Sequence, residues 1–224
     1  MVNFLPHLLE VRNLVKSLGG REILQNVSFD VDKGEIAIIN GPSGSGKSTL
    51  LRCLNRLIEP DSGEIYFEGK NIFDMDVLSL RRLLGFVPQV PVMFDGTVRD
   101  NLLFAPKIHN LDVSDEDLEK IIKYVGLPVD YLDKPAHELS VGEQQRVSIA
   151  RAMILKPRLL LMDEPTSHLD PENTMLVEDL IKKFNAELEM TFLIVSHSEE
   201  QSKRLGHKII YLEAGKVKWV EVNN

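Results

Sequence analysis

The chain has one cysteine, Cys53, and no long apolar run in its 224 residues. A single cysteine excludes an internal disulfide and suits a reducing compartment, and we interpret Cys53 as a small buried hydrophobe. A membrane-spanning helix needs about 20 consecutive apolar residues, and no segment approaches that length. We therefore expect a cytoplasmic protein. If it works at a membrane, another chain must supply the membrane part.

Basic side chains are the minority, with 26 Lys and Arg against 34 Asp and Glu and a net charge of −8. Proteins that coat nucleic acid carry a basic face, so we expect no nucleic-acid partner. The N-terminal stretch MVNFLPHLLEVRN has neither a basic start nor a long apolar core. We therefore expect no signal peptide.

Strand-like and helix-like segments alternate along most of the chain. We predict helices at 47–57 and 174–188, and capping boxes at Ser114 and Ser140 indicate further helices within 89–157. The predicted strands are 9–11, 23–24, 27–31, 35–39, 64–67, 159–162, 191–195, 208–212 and a last one holding Trp219. This order predicts an α/β domain with a helical insertion in its middle.

A glycine-rich loop follows the predicted strand at 35–39. Its sequence, Gly41-Pro42-Ser43-Gly44-Ser45-Gly46-Lys47-Ser48, matches G-x-x-x-x-G-K-[ST] at every position, between a predicted strand and a predicted helix. Glycines let such a loop curl so that backbone N–H groups and the helix N-terminus face phosphate oxygens. Lys47 is expected to contact the outer phosphates and Ser48 to ligate Mg²⁺, which prefers oxygen ligands.

Two acids and a histidine follow other apolar strands. Asp163 and Glu164 come directly after 159–162, and His197 comes after 191–195. Ligands of open α/β sheets bind at the carboxyl ends of the strands, so we expect all three beside the phosphate loop. Asp163 is predicted to hold Mg²⁺ through water, Glu164 to polarise an attacking water, and His197 to contact the terminal phosphate.

Residues 137–152, HELSVGEQQRVSIARA, predict a helix start in which Ser140 and Glu143 form a capping box. With this stretch, the motifs stand in the order found in ABC-type ATPases, and the chain resembles that family over essentially its whole length. The elements that carry the resemblance are the phosphate loop, Gln89, LSVGE at 139–143, LLMDE at 160–164, SHLD at 167–170 and His197.

The resemblance implies an ABC ATPase fold. Such a fold has a P-loop NTPase sheet core, an N-terminal antiparallel β subdomain and an inserted α-helical subdomain. We expect residues 1–88 and 158–224 to form the nucleotide-binding lobe and residues 89–157 to form the helical lobe that carries the signature segment, residues 139–143.

The resemblance also implies a head-to-tail homodimer with two Mg-ATP molecules between the copies. Each ATP would lie on the phosphate loop of one copy and beneath the signature segment of the other. Glu164 is implied to be the general base, His197 the switch histidine, and Gln89 a Mg²⁺ contact that senses the partner. The residues implied to bind nucleotide or metal are Leu18, Gly41, Pro42, Ser43, Gly44, Ser45, Gly46, Lys47, Ser48, Thr49, Gln89, Ser140, Val141, Gly142, Glu143, Asp163 and Asp170.

Three residues depart from the usual family pattern. Val141 and Glu143 stand where a glycine and a glutamine are common, and Val141 must keep an ordinary backbone conformation. Glu143 brings a negative charge towards the phosphates, at a cost of about 1 kcal/mol unless it folds back to cap its own helix. Leu18 replaces an aromatic residue that stacks on adenine, so we expect weaker and less base-selective binding.

The segment from Gln89 to Asn101 resembles the region that holds a membrane permease. We expect a separate permease to dock there and to hold the protein on the inner face of the plasma membrane. The pattern FDGTVRDNLLFAP, residues 94–106, most resembles YbbL/Fet-type bacterial ATPases, whose small permeases are associated with metal export, including iron.

Two other kinds of ABC ATPase stay open from the sequence. One is a soluble ATPase that assists macromolecular assembly without a permease, as in iron–sulfur scaffolds. The other acts on DNA or ribosomes, but such proteins usually carry long coiled-coil insertions or tandem domains, and this sequence has neither. The net charge of −8 also disfavours that class.

Overall fold

The computed structural model describes residues 7–223, which form two β-sheets with helices packed around them. Residues 1–6 and 224 lie outside the described residues. The first part of the stretch expected to hold no signal peptide and the two outer ends of the lobe predicted at 1–88 and 158–224 therefore lie there as well. Within 7–223, no helix is both long and apolar enough to cross a bilayer.

The elements of the described chain follow one another in the expected α/β order. The strands are β1 (Leu9–Leu18), β2 (Arg21–Val31), β3 (Ile36–Asn40), β4 (Ser62–Phe67), β5 (Lys70–Asn71), β6 (Leu84–Val87), β7 (Leu159–Asp163), β8 (Thr191–Val195), β9 (Lys208–Glu213) and β10 (Lys216–Val222). The helices are α1 (Lys47–Leu54), α2 (Val77–Leu83), α3 (Val98–Ile108), α4 (Asp115–Tyr124), α5 (Val141–Met153), α6 (Pro171–Leu188) and α7 (Glu199–Leu205).

The smaller sheet is antiparallel, with strands in the order β2-β1-β4-β5. β2 is one continuous strand, although the sequence predicts two. The sequence pattern breaks because Asn26, at φ 53°, lies at a bulge that interrupts the apolar alternation. Asn13, at φ 50°, marks a similar irregularity in β1, which therefore continues to Leu18 instead of ending at Val11.

The larger sheet has the order β10-β9-β3-β8-β7-β6 and is parallel except for the edge strand β10. Every residue of β3, β7 and β8 is buried, as expected for apolar strands covered on both faces. Their carboxyl ends lie at one edge, because Ile39 pairs with Val195 and Val195 pairs with Asp163. That edge is where the sequence predicts the site.

The helical insertion lies between β6 and β7 and contains α3, α4 and α5. Buried residues of these helices share one apolar core with one face of the larger sheet and with α6. The described chain therefore has the parallel sheet core, the antiparallel β subdomain and the inserted helical subdomain that the resemblance implies. Cys53 is fully buried on α1, where burial raises the pKa of its thiol to about 11, as expected of a structural cysteine.

Two helix boundaries and one helix cap differ from the sequence prediction for local reasons. α1 ends at Leu54, since Arg56 has a left-handed backbone at φ 49°. α6 begins at Pro171, because the Asp170 side chain caps it and proline suits the first helical turn. Ser114 makes only half of a capping box: its hydroxyl accepts from the backbone of Asp117, whose carboxylate accepts from that hydroxyl.

One buried amine joins the two sheets. The Lys208 Nζ at the start of β9 lies 2.8 Å from an oxygen of Asp30 on β2 and 3.1 Å from an oxygen of Glu35. The side chains of Lys208 and Glu35 are 9% and 11% exposed, so the ion pair between Lys208 and Glu35 is shielded from water, whereas Asp30 is 44% exposed. Breaking a buried pair is costly because it leaves an uncompensated charge inside.

We expect Lys208→Met to lower the free energy of unfolding by about 2–3 kcal/mol, measured by urea denaturation. The matched control is Lys218→Met, since Lys218 lies 3.9 Å from Glu213 with both side chains about half exposed. That change should cost less than about 0.5 kcal/mol. Equal effects of the two substitutions would contradict a shielded pair at Lys208.

Candidate functional site

The loop between β3 and α1 is confined by its neighbours. A Cβ on Gly41 would lie 1.9 Å from the carbonyl oxygen of Leu212 on β9, and a Cβ on Gly46 would lie 2.9 Å from that of Ile23 on β2. Gly41 and Gly46 have φ values of 146° and 106°, which other residues rarely adopt. The loop therefore needs glycine at both positions, and its path is fixed by both sheets.

Lys47 opens α1 and points back into this loop. Its Nζ donates to the carbonyl oxygens of Gly41 and Pro42, each at 2.8 Å, and lies 3.4 Å from Nδ1 of His197. Lys47 is only 4% exposed, and burial lowers the pKa of its amine while nearby carboxylates oppose that effect. The ammonium group thus stands among carbonyl dipoles inside the loop, where phosphate oxygens would bind.

Two oxygen ligands of the kind that Mg²⁺ prefers meet beside Lys47. The hydroxyl of Ser48 donates to Oδ1 of Asp163 at 2.8 Å, and Asp163 is 2% exposed at the end of β7. Their oxygens are close enough to share one cation, directly or through water. The chemistry of this donor set fits the predicted metal site.

Glu164 lies at the centre of the next group of contacts. Its backbone is left-handed, with φ 47°, and its N–H donates to Val195 at the end of β8. One carboxylate oxygen contacts Nε2 of His197, and the other accepts from Nε2 of Gln89 at 3.1 Å. The structure thus brings together Glu164, His197 and Gln89 from three parts of the sequence.

The signature segment forms the capping box that its spacing predicts. The Ser140 hydroxyl accepts from the backbone of Glu143, and Oε2 of Glu143 accepts from the Ser140 N–H at 2.8 Å. Oε1 of Glu143 accepts from the hydroxyl of Tyr131 at 3.2 Å. Burial alone would raise the pKa of Glu143, but these hydrogen bonds outweigh it and the pKa lies below its usual value.

A short polar chain joins the signature helix to α6. Gly142 leaves room for the amide of Asn173, because a Cβ there would lie 2.3 Å from Oδ1 of Asn173. That oxygen also accepts from Arg146 at 3.0 Å, and the Asn173 amide donates to Asp170 at 2.7 Å. Hydrogen bonds from Asn173 lower the pKa of Asp170, which caps α6. Asp170 is therefore fixed relative to Gly142.

The remaining predicted contacts stand apart from the loop around Lys47. Val141 is 49% exposed at the first position of α5 and has an ordinary helical backbone, as expected. Leu18 is 42% exposed at the end of β1, in the hairpin whose second strand touches Gly46. Within residues 7–223, the hydrogen bonds of Ser140 and Glu143 run to their own helix and to Tyr131, not to the phosphate loop.

Sequence reasoning missed several polar residues that hold the site. The main ones are Asn40, Thr166, Glu178 and Gln201, all of which hydrogen-bond close to the loops that carry Glu164 and His197. Only Glu178 left a usable signal, since it is an acid beside Val177 and Ile181 on the apolar side of α6.

A family model described as ABC transporter matches residues 24–167, which contain the phosphate loop, the signature segment and Glu164. The chain belongs to the ABC transporter family. It is an ATPase domain of that family, and ATP and Mg²⁺ are its ligands.

Similar proteins support this membership. Protein STAR1 of Oryza sativa subsp. japonica is 43% identical over 211 residues, covering 93% of this chain but only 61% of that protein. ABC transporter I family member 17 of Arabidopsis thaliana is 42% identical over 198 residues, covering 88% of this chain and 75% of that protein.

Two solved structures share the fold of this ABC ATPase. CbiO1 of Clostridium perfringens, part of the ABC transporter complex cbiONQ, gives a TM-score of 0.87 at 28% identity, covering 96% of this chain and 88% of that one. The dimeric cassette MJ0796, in a post-hydrolysis state bound to ADP and Pi, gives 0.84 at 31% identity, covering 96% and 98%.

The lowered pKa of Glu143 makes the capping box of this ABC ATPase dependent on pH. A group with a depressed folded-state pKa stabilises the fold above its unfolded pKa, and this contribution is lost as pH falls through the folded pKa. We expect Glu143→Gln to cost about 1 kcal/mol of unfolding free energy at pH 7, and the difference from wild type to shrink in acid.

Urea denaturation of both proteins at neutral and acidic pH measures this difference. Glu138→Gln, at an exposed position just before the signature helix, serves as the control and should match wild type. A Glu143→Gln effect that stays constant into acid would contradict the assignment of the ionised carboxylate as the cap.

Proposed function

We propose that the chain is the ATP-hydrolysing subunit of an ABC transporter. Two copies would bind two Mg-ATP molecules at a head-to-tail interface and drive a separate membrane permease. The observation that carries the proposal is the meeting of Lys47, Ser48, Asp163, Glu164 and His197 at one edge of the parallel sheet.

Binding would begin at the phosphate loop. The Lys47 ammonium would exchange its contacts with the carbonyls of Gly41 and Pro42 for the outer phosphates of ATP. Backbone N–H groups from Ser43 to Thr49 would face the remaining phosphate oxygens at the start of α1. Leu18, on the neighbouring hairpin, would pack against the base without stacking.

Ser48, Asp163 and Gln89 are the residues that would hold Mg²⁺. The hydroxyl of Ser48 and the carboxylate of Asp163 already share a hydrogen bond, so their oxygens converge on one point. When bound, Mg²⁺ would neutralise phosphate charge. Gln89, whose amide touches Glu164, would link that point to the segment 89–101.

Hydrolysis would use Glu164 as the general base. A water oxygen would bond to the terminal phosphorus, the bond from that phosphorus to the bridging oxygen of ADP would break, and the carboxylate of Glu164 would accept the proton of the water. His197 contacts Glu164 through Nε2 and lies beside Lys47 through Nδ1, so it would orient the base and stabilise the charge on the terminal phosphate.

The signature helix would serve the ATP of the partner copy. Ser140 and Val141 are exposed, and the start of α5 presents the positive end of a 13-residue helix. Asp170 and the neighbouring residues 167–169 would cross the interface, held to the signature helix through Asn173.

An apolar surface near Gln89 supports docking of a permease. Five apolar side chains there are between 38% and 58% exposed, namely Val90, Val92, Phe94, Phe104 and Ile108. The rings of Phe94 and Phe104 stack at 4.1 Å, and the fully buried Asn101 bonds the backbone of Phe94 in both directions. The surface is therefore apolar and also well ordered.

The finer assignments rest on the resemblance to YbbL/Fet-type ATPases. We propose export of a metal such as iron by the permease, and the inner face of the plasma membrane as the working location. The lobes would be residues 1–88 with 158–224 and residues 89–157.

Glu164→Gln tests the hydrolytic step. We expect hydrolysis to fall at least about 100-fold, because the amide cannot accept the proton, while ATP binding persists. The ATP-bound protein should then elute from size exclusion as a dimer, and the nucleotide-free protein as a monomer. A variant that hydrolyses ATP at the wild-type rate would remove Glu164 as the base.

Phe104→Asp tests the docking surface. A charge at the centre of an apolar contact would be desolvated without a partner, so co-purification with a co-expressed permease from the same gene neighbourhood should fall at least about ten-fold. ATP hydrolysis by the detached subunit should stay unchanged. Val222→Asp, at a 63% exposed position on β10, is the control and should keep the complex. Equal recovery of both variants would contradict docking at this surface.

A further inference from the structure

One buried glutamine joins the two catalytic loops behind the site. Gln201 on α7 is 6% exposed, and its Oε1 accepts from the hydroxyl of Ser196 at 2.6 Å. Its Nε2 donates to Oγ1 of Thr166 at 2.9 Å and to Oε1 of Glu178 at 3.0 Å. One amide therefore ties the residue before His197 to the residue two positions after Glu164.

The third partner of that amide is a fully buried carboxylate. Glu178 on α6 is 0% exposed and accepts two hydrogen bonds from Arg204, at 2.9 and 2.7 Å, besides the one from Gln201. Burial alone would raise the pKa of Glu178, but the bonds from Arg204 and Gln201 outweigh it and lower the pKa. Glu178 is therefore an ionised anchor, and the Gln201 amide faces it with a donor.

The His197 loop is also held from its other side. Ser198 O accepts from the hydroxyl of Ser202 at 2.8 Å, and that hydroxyl accepts from the amide of Asn40 at 2.7 Å. The backbone N–H of Ser198 donates to the hydroxyl of Ser196 at 3.1 Å. Buried polar groups with complete hydrogen bonding make a segment rigid, so the backbone on both sides of His197 has one arrangement.

Gln201 also lies on the wall of the space beside the reacting groups. The residues that line a cleft of about 240 Å³ include Glu164, His197, Gln201 and Arg204. A change of the Gln201 contacts would therefore be transmitted to the pair formed by Glu164 and His197, while the side-chain hydrogen bonds of Gln201 itself run to Ser196, Thr166 and Glu178 and not to Lys47.

We propose that Gln201 is a positioning residue that sets the placement of His197 against Glu164 for hydrolysis. The inference rests on the proposed function, because it needs these two residues to act on the terminal phosphate. Gln201 itself acts through Ser196 and Thr166. Its effect should therefore appear in the rate of the chemical step and not in the affinity for ATP.

Exchanging the two polar groups gives the sharpest test. Gln201→Glu alone would set two buried carboxylates about 3 Å apart. Combining Gln201→Glu with Glu178→Gln restores an amide–carboxylate pair, in which the amide at position 178 donates to the carboxylate at position 201. We expect Gln201→Glu to lower kcat at least about ten-fold with KM for ATP changed less than about two-fold. The double variant should recover kcat to within about three-fold of wild type.

Asp179→Asn, at the exposed neighbour of Glu178, is the matched control and should hydrolyse ATP like wild type. Ser196→Ala is a milder variant for the case that Gln201→Glu does not fold, and it removes the hydroxyl that bonds both Gln201 and the N–H of Ser198. It should lower kcat at least about three-fold with KM unchanged. Thermal melting with and without ATP reports folding and binding for each variant.

Two results would overturn the inference. One is a wild-type kcat in Ser196→Ala or in Gln201→Glu, and the other is a double variant no faster than Gln201→Glu. If Glu164→Gln abolishes hydrolysis while Gln201→Glu retains it, only the positioning role of Gln201 is wrong. If Glu164→Gln itself hydrolyses ATP normally, the proposed function fails instead.

Discussion

The parallel register of β3, β8 and β7 is the constraint on which the site depends. Ile39, Val195 and Asp163 are neighbours across these strands, so three loops leave the sheet at one level. Both faces of the strands are buried, and a slip by one residue would move every side chain to the opposite face. Apolar packing thus fixes the origin of each loop. The polar side chains then need only short-range contacts to meet.

The contacts among these polar side chains require a strained backbone. Glu164 has a left-handed backbone at φ 47°, a conformation that costs free energy in a residue with a side chain. Its N–H donates to Val195, and Gln201 ties Thr166 to Ser196 just beyond, so neighbouring contacts offset that cost. The strain therefore sits where the chain must aim a carboxylate across the end of the sheet.

The family resemblance implied the ABC ATPase fold, and patterns that depend on neighbours in sequence predicted the alternation of strands and helices and several local contacts. The capping box of Ser140 and Glu143 and the order of strands before Lys47 and Asp163 are of this kind. Gln201 and Glu178 could not be predicted, because their contacts join segments 23 to 35 residues apart in sequence. A buried acid can be suspected on an apolar helix face, but its partner follows only from the packing of α6 against α7. The bulge at Asn26 was missed for a local reason: it interrupts the apolar alternation, so one strand looks like two.

Glu143 shows how a local contact can settle an electrostatic question. An unpaired carboxylate at the start of α5 would repel a triphosphate arriving from a partner. Here both of its oxygens accept hydrogen bonds, one from the Ser140 N–H and one from Tyr131. The lowered pKa of Glu143 means that these bonds stabilise the ionised carboxylate, so breaking them would cost free energy. In the proposed dimer, an incoming phosphate would therefore meet the exposed N-terminus at Ser140 and Val141 first. The helix would keep its cap, and attraction by the helix dipole would act before repulsion by Glu143.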